Sequence, residues 1–220
     1  EDLVELLGLL VSLLLLEDHV PKLGPGVLGL GLGALGLALQ VLDPAGRTIV
    51  ILWSDHGLLL GEHAIWGKHC LYEHSLRSPL LIRAPGLTQP GASSAALVET
   101  VDIFPTLTDL CGLPAPAGLD GRSLLPVLRG ERTEVHEAVF GYFTDTQRMI
   151  RTKEGWKLIW YPKIEKVQLF NVVSDPDEIR DLADDAGQVE RLERMKKRLG
   201  EWQREHHDPV PPLRLALRRP

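Results

Sequence analysis

Apolar and polar positions alternate differently in successive stretches of the chain. Residues 1–42 are built largely from leucine and glycine, as in LVELLGLLVSLLLL and LGPGVLGLGLGALGLALQVL. Thr48 to Trp53 is β-branched and apolar without alternation, the pattern of a strand buried on both faces of a parallel sheet. Pro79 to Arg83 is a second short apolar run and a candidate strand. From Val98 to Cys111 apolar residues recur at helical spacing, at Val101, Phe104, Leu107, Leu110 and Cys111. Pro105 falls inside that run, which predicts either a kink or a proline in an early turn. Beyond Gly130 the pieces are shorter. Ala138–Phe143, Gln147–Thr152, Trp156–Tyr161 and Val167–Asn171 are spaced like an antiparallel meander. Asp175 to Glu178 predicts a turn and a helix start. Val189 to Trp202 predicts an amphipathic helix with Leu192, Met195, Leu199 and Trp202 on its inner stripe. The closing PLRLALRRP is a basic tail expected to fray.

The Leu23–Leu42 run is, at about 20 residues, long enough to raise a membrane span. Its glycines each cost a helix roughly 1 kcal/mol relative to alanine, and no basic flank sets an orientation. Glu1 and Asp2 stand where a signal peptide carries positive charge, and no other targeting segment is recognisable. The Gly29–Gly33 spacing carries little weight among so many glycines. A buried helix pair is therefore preferred to a membrane segment. Pro44, Ala45 and Gly46 form a turn before the first strand.

Composition then narrows the class. The chain has 220 residues, 44% hydrophobic and 25% charged, with a net charge of −6. It reads as a globular protein with enough length for a core. The mild acidity argues against nucleic-acid binding, which needs a basic face. Cys70 and Cys111 show neither a disulfide framework nor metal-ligand spacing, and each is expected to be a small buried side chain.

The candidate chemistry follows the first strand. Ser54, Asp55, His56 and Gly57 come directly after Trp53, and in open α/β sheets ligands gather beyond the carboxyl ends of strands. Asp55 offers a hard carboxylate oxygen and His56 an imidazole nitrogen, which a turn at Gly57 could aim at one cation. The alternative is that Asp55 caps a helix beginning near Leu58 and His56 is an ordinary loop residue. Gly61, Glu62, His63, Trp66, Gly67 and Lys68 follow in one loop. A lysine there is a mobile point charge suited to an oxyanion, or simply a solvated surface group.

SDHGxxxGEHxxWGKxxLYExSxRxPLxIRxPG, covering Ser54 to Gly86, resembles the signature of the sulfatase family within the alkaline-phosphatase-like superfamily. VETVDIFPTLTDLCGLPAP, LDGRSLLPVLRG, RMIRTKEGWKLIWY and QLFNVVSDPDEIRDLADD extend it, so that Arg47 to about Asp208 is similar to a sulfatase's carboxyl-terminal half. The resemblance implies an α/β fold, with part of an alkaline-phosphatase-like core and a small carboxyl-terminal antiparallel-sheet-plus-helix subdomain. The expected divisions are a degraded or truncated Leu/Gly-rich helical segment at 1–46, core at 47–130, the subdomain at 131–208 and a tail at 209–220.

The resemblance further implies that Asp55 and His56 ligate a divalent cation, calcium being usual, and that Lys68 contacts the sulfate group. Glu62 and His63 receive a supporting role at most, a structural hydrogen bond being an equal reading. Leu58 departs from the pattern, which often has glutamate there. Sulfatases attack sulfur with the hydrated hydroxyl of a formylglycine made from cysteine or serine, while the cation stabilises charge on the sulfate oxygens. The Cys-x-Pro-x-Arg or Ser-x-Pro-x-Arg that yields this group is absent from the chain. Cys70 precedes Leu71 and Tyr72, and Cys111 precedes Gly112 and Leu113. Little or no turnover is expected of the chain alone.

The expected partners are a sulfate-ester substrate and either a second copy of the chain or an amino-terminal half. A zinc or manganese phospho- or phosphonohydrolase of the same superfamily is the rival enzyme, since His56 suits those softer metals. A non-catalytic remnant that packs against a partner is the rival outside enzymes. Asp102 is expected to be a cap or a surface group. The acids from Asp175 to Glu178 lack EF-hand spacing, and His206 and His207 are expected to be solvated. Asn171 lies outside any glycosylation sequon. Substrate identity and compartment stay open.

Overall fold

The computed structural model describes residues 48–213. The Leu/Gly-rich stretch, with its helix-pair and membrane readings, and the tail beyond Leu213 lie outside the described residues. In chain order the elements are strand β1 (Val50–Trp53), the short strands β2 (Leu59–Leu60) and β3 (Trp66–Gly67), helix α1 (Glu73–Leu76) and strand β4 (Leu80–Arg83). Helices α2 (Ile103–Leu110) and α3 (Leu125–Leu128), strands β5 (Ala138–Phe143), β6 (Gln147–Thr152), β7 (Trp156–Tyr161) and β8 (Lys166–Asn171), and helix α4 (Val189–Glu205) follow. The described residues separate into one unit holding Thr48–Val50 with Arg83–Gly86 and a second holding Ile51–Ile82 with Leu87–Leu213. In the described part of the first, the Arg83 guanidinium donates to the Thr48 carbonyl at 2.9 Å. Among the described residues no helix is long and apolar enough to cross a membrane.

The second unit is dominated by β5 to β8, an antiparallel sheet in simple sequence order. Successive residues point to opposite faces of a strand, and here both faces are buried. Ile150, Leu158, Trp160 and Leu169 face α4, where Leu192, Met195 and Leu199 pack against them. Register explains the match: Phe140 stands opposite Ile150, Ile150 opposite Leu158, and Leu158 opposite Leu169. Phe140 then stacks on Trp202 of α4 with ring centroids 5.1 Å apart. The intervening residues Met149, Ile159 and Phe170 face the other way and join Leu71, with Tyr72 and Leu76 packed alongside. Each such aliphatic or aromatic side chain contributes about 1.5–3 kcal/mol on burial. The sheet therefore holds the helix on one face and the Leu71–Leu76 segment on the other.

Several expectations need correction. β1 is only half-buried, with Trp53 49% exposed, and β4 is its sheet neighbour among the described residues. An apolar run without alternation reports what a strand can bury, and not whether covering layers are present on both faces. Asp175–Glu178 forms a turn with no helix start, and the next α-helix opens at Val189. Cys70 is buried but Cys111 is exposed, because α2 ends at Leu110 and Cys111 falls on its cap. Asp102 is a cap, yet it is fully buried. Its carboxylate accepts from the Glu99 and Arg122 backbone N–H groups at 2.8 and 2.7 Å and pairs with His136 at 2.8 Å. Pro105 sits at the third position of α2, where no intrahelical N–H bond is lost.

A second ion pair seals the far end of the sheet. Arg148 on β6 grips Asp208 through Nε–Oδ2 and Nη2–Oδ1 contacts of 2.6 and 2.7 Å. The Arg148 hydrogen bond leads the causes that bring the Asp208 pKa down to about 2, with bonds from Val210 N–H and the Gln203 amide assisting. A depressed carboxylate stabilises the fold above its unfolded pKa, and that stability is lost as pH falls through the folded value. Lowering the pH from above 3.8 through about 2 is expected to remove about 2 kcal/mol. Urea unfolding across that window checks it, and Asp208→Asn is expected to flatten the acid slope.

Candidate active site

The site-bearing chain leaves β1 at Trp53 and turns at once. The Ser54 hydroxyl donates to the His56 carbonyl at 2.8 Å, drawing the chain back on itself. The Gly57 N–H donates to the Ser75 carbonyl at 2.7 Å. A Cβ on Gly57 would lie 2.1 Å from the His74 carbonyl oxygen, so close backbone approach requires glycine here. Its φ is outside the left-handed region, so the turn needs glycine for want of space and not for its backbone angle. No helix starts near Leu58 to be capped by Asp55. The chain instead forms β2, which pairs antiparallel with β3 and returns the chain to Lys68.

The result is a compact polar triplet. His56 Nδ1 is 2.6 Å from the Gly57 carbonyl. A carbonyl only accepts, so Nδ1 donates in this contact, and Nε2 is the ring nitrogen that accepts from the Lys68 ammonium. Nε2 lies 3.4 Å from Asp55 Oδ2. The Lys68 ammonium reaches His56 Nε2 and stands 4.0 Å from Asp55 Oδ2. Asp55 is 79% exposed and Lys68 43% exposed, so the triplet faces outward. A histidine whose Nδ1–H is held by a backbone carbonyl turns Nε2 outward as metal-ligating histidines do, and with the neighbouring Asp55 carboxylate it makes two donors of the kind that could hold a divalent cation. Among the described residues no group of three or more His, Cys, Asp or Glu side chains converges to hold a metal.

Glu62 and His63 are engaged elsewhere. Glu62 Oε2 accepts from the Leu60 N–H at 2.6 Å. His63 adopts φ of 53° and stacks on Tyr72 at 3.9 Å. Its Nε2 is 2.8 Å from the Asp177 carbonyl, a contact that organises the loop.

Beneath the loop lies a charge cluster that the sequence did not announce. Lys157 of β7 and Glu178 are both fully buried. Lys157 Nζ is 3.0 Å from Glu73 Oε1 and 2.9 Å from Glu178 Oε1. Glu178 Oε1 meets no hydrogen-bond geometry, so its contact with Lys157 is an ion pair. Glu178 Oε2 does accept, from the Glu73 N–H at 2.5 Å, and Arg151 Nε stands 3.4 Å from Glu73 Oε2. Burial pushes the Glu178 pKa up, against the attraction of Lys157. A lysine inside the apolar run WKLIWY was the available signal.

Beside Ser54 opens a cleft of about 330 Å³ edged by Trp53, Arg77, Val98, Glu99 and Arg151. Trp66, Val101 and Phe104 are also exposed apolar side chains.

The family described as N-sulphoglucosamine sulphohydrolase, C-terminal, matches residues 61–205, about two thirds of the chain. The chain belongs to the sulfatase family. Human arylsulfatase K is 37% identical to this sulfatase chain over 160 residues, covering 66% of it and 30% of the relative. The N-acetylglucosamine-6-O-sulfatase of Bacteroides thetaiotaomicron is 28% identical over 184 residues, covering 79% and 33%. A protein solved with its substrate D-glucosamine-2-N,6-O-disulfate superposes with a TM-score of 0.71 at 27% identity, over 86% of this chain and 40% of that one. The phosphonate monoester hydrolase of Agrobacterium radiobacter gives a TM-score of 0.68 at 27% identity, over 82% and 40%. The chain thus spans about a third of the curated relatives, their carboxyl-terminal portion. Its α/β architecture is that of the alkaline-phosphatase-like fold.

Proposed function

We propose that this chain is the carboxyl-terminal portion of a metal-dependent sulfate-ester hydrolase and carries one side of its active site. The observation that supports this best is the convergence of Asp55 Oδ2, His56 Nε2 and Lys68 Nζ at the end of β1. Asp55 and His56 would hold a divalent cation, calcium by family resemblance, which when bound would withdraw charge from sulfate oxygens. The carbonyl of Gly57 keeps His56 in the tautomer that offers Nε2. Lys68 places a fixed positive charge next to the donor pair, where a sulfate oxygen would sit. Residues 47–130 correspond in this reading to part of the core and 131–208 to a carboxyl-terminal subdomain. The exposed Trp53, Trp66, Val101 and Phe104, with the cleft beside Ser54, are the surfaces an amino-terminal half would cover. The nucleophile and the remaining cation ligands would come from that half.

The test is aryl-sulfate hydrolysis by chain 1–220 and by the product of the native reading frame. The chain is expected to show no turnover above buffer. The native product is expected to turn over and to lose at least about 10³-fold in Asp55→Ala. Turnover by the chain alone that disappears in Lys68→Ala would overturn the half-site reading. The Agrobacterium phosphonate monoester hydrolase supports a second reading on fold similarity. Preference of the native product for an aryl phosphonate, with zinc raising its Tm more than calcium and Asp55→Ala abolishing the shift, would establish that reading instead.

A further inference from the structure

The two halves of the polar triplet come from chain segments 12 residues apart, and one buried residue joins them, through its hydroxyl on one side and its backbone carbonyl on the other. Ser75, in α1, is 2% exposed. Its carbonyl accepts from the Gly57 N–H at 2.7 Å, next to His56. Its Oγ donates to the Lys68 carbonyl at 2.6 Å. Gly57 also returns its own carbonyl to His56 Nδ1. The His56 ring and the Lys68 backbone are therefore each one residue, or one hydrogen bond, from Ser75.

A helix of four residues cannot hold its own position, because nucleation costs more than one turn returns. The anchor for α1 comes from outside it. Glu73 is bound by Lys157 and Arg151 from the sheet, and its N–H is bound by Glu178. His74 pairs with Asp177 at 3.1 Å. Leu71, just before α1, is packed on Met149, Ile159 and Phe170. The sheet thus fixes α1, and α1 fixes the triplet.

We propose that Ser75 is a positioning residue: through its hydroxyl and its carbonyl it sets the placement of the Lys68 ammonium against the Asp55–His56 pair. Its consequence for catalysis rests on the sulfate-ester reading, whereas its consequence for geometry does not. Ser75→Ala removes the hydroxyl bond to Lys68 and leaves the carbonyl bond to Gly57. Thr106→Ala is the control. It deletes an equally buried hydroxyl that donates to a backbone carbonyl, Asp102 O, at 2.6 Å, away from the triplet.

Both variants of chain 1–220 are expected to unfold at lower urea concentration than wild type. In long-range ¹H–¹⁵N spectra at neutral pH, Ser75→Ala is expected to shift the His56 Nε2 and Lys68 Nζ resonances, and Thr106→Ala to leave them in place. In the native product Ser75→Ala is expected to lower kcat for an aryl sulfate about tenfold with KM within about twofold, since misplacement costs orientation rather than ground-state binding. Unchanged His56 and Lys68 resonances in Ser75→Ala would overturn the proposal whatever the assay gives. Shifted resonances in a native product that hydrolyses no sulfate ester would uphold the positioning and defeat the sulfate-ester reading alone.

Discussion

Lys157→Met is expected to destabilise the chain by about 3–5 kcal/mol at neutral pH, measured by urea unfolding. The ammonium is fully buried between two carboxylates, one of them also fully buried. Deleting it leaves Glu178 charged in an apolar setting with only the Glu73 N–H to satisfy it, and that uncompensated charge supplies most of the cost. The pH dependence identifies the mechanism. Burial already raises the Glu178 pKa in the folded chain, and Lys157 is the main force opposing the rise. A raised folded pKa means that the group's contribution to stability is fully present below its unfolded value and is lost as pH rises through the folded one. Without Lys157 the folded value climbs further, so the variant should regain stability as pH falls from neutral towards the unfolded value of 4.5, more steeply than wild type. Lys157→Met/Glu178→Gln should flatten that slope. A small loss independent of pH would show that the cluster is not holding charge in the interior.

The cluster also marks where sequence reasoning stops. The meander was legible because strand periodicity and turn residues are local signals: three of four strands have the expected bounds, and β8 begins one residue early at Lys166. The stripe on α4 was legible for the same reason, although the helix continues to Glu205. Lys157 was not, because its partner Glu73 is 84 residues away and a lysine in a strand ordinarily reads as solvent-facing. Asp55, His56 and Lys68 stood out through a long motif, and the fold brings all three together. Ser75 lies inside that motif without any chemistry to draw notice; only the fold shows it bonded to both segments. β1 was misread in its surroundings because burial of a strand depends on layers that its own sequence does not specify.

Lys68→Ala separates catalytic from structural importance most sharply. In the product of the native reading frame it is expected to lower kcat/KM for an aryl sulfate by about 10²–10³-fold, the usual loss on removing one preorganised charge donor from an oxyanion site. Stability should hardly move, because Lys68 is 43% exposed and a partly solvated ion pair contributes at most about 1 kcal/mol. Lys68→Arg should recover only part of the rate. The planar guanidinium cannot reproduce a compact ammonium packed against His56 Nε2. The direction of KM adds a further discrimination. A rise in KM with kcat unchanged would mean that Lys68 only gathers the anion, whereas a fall in kcat would mean that it meets charge developing on the sulfate oxygens. A loss below about threefold in both would remove Lys68 from the reaction.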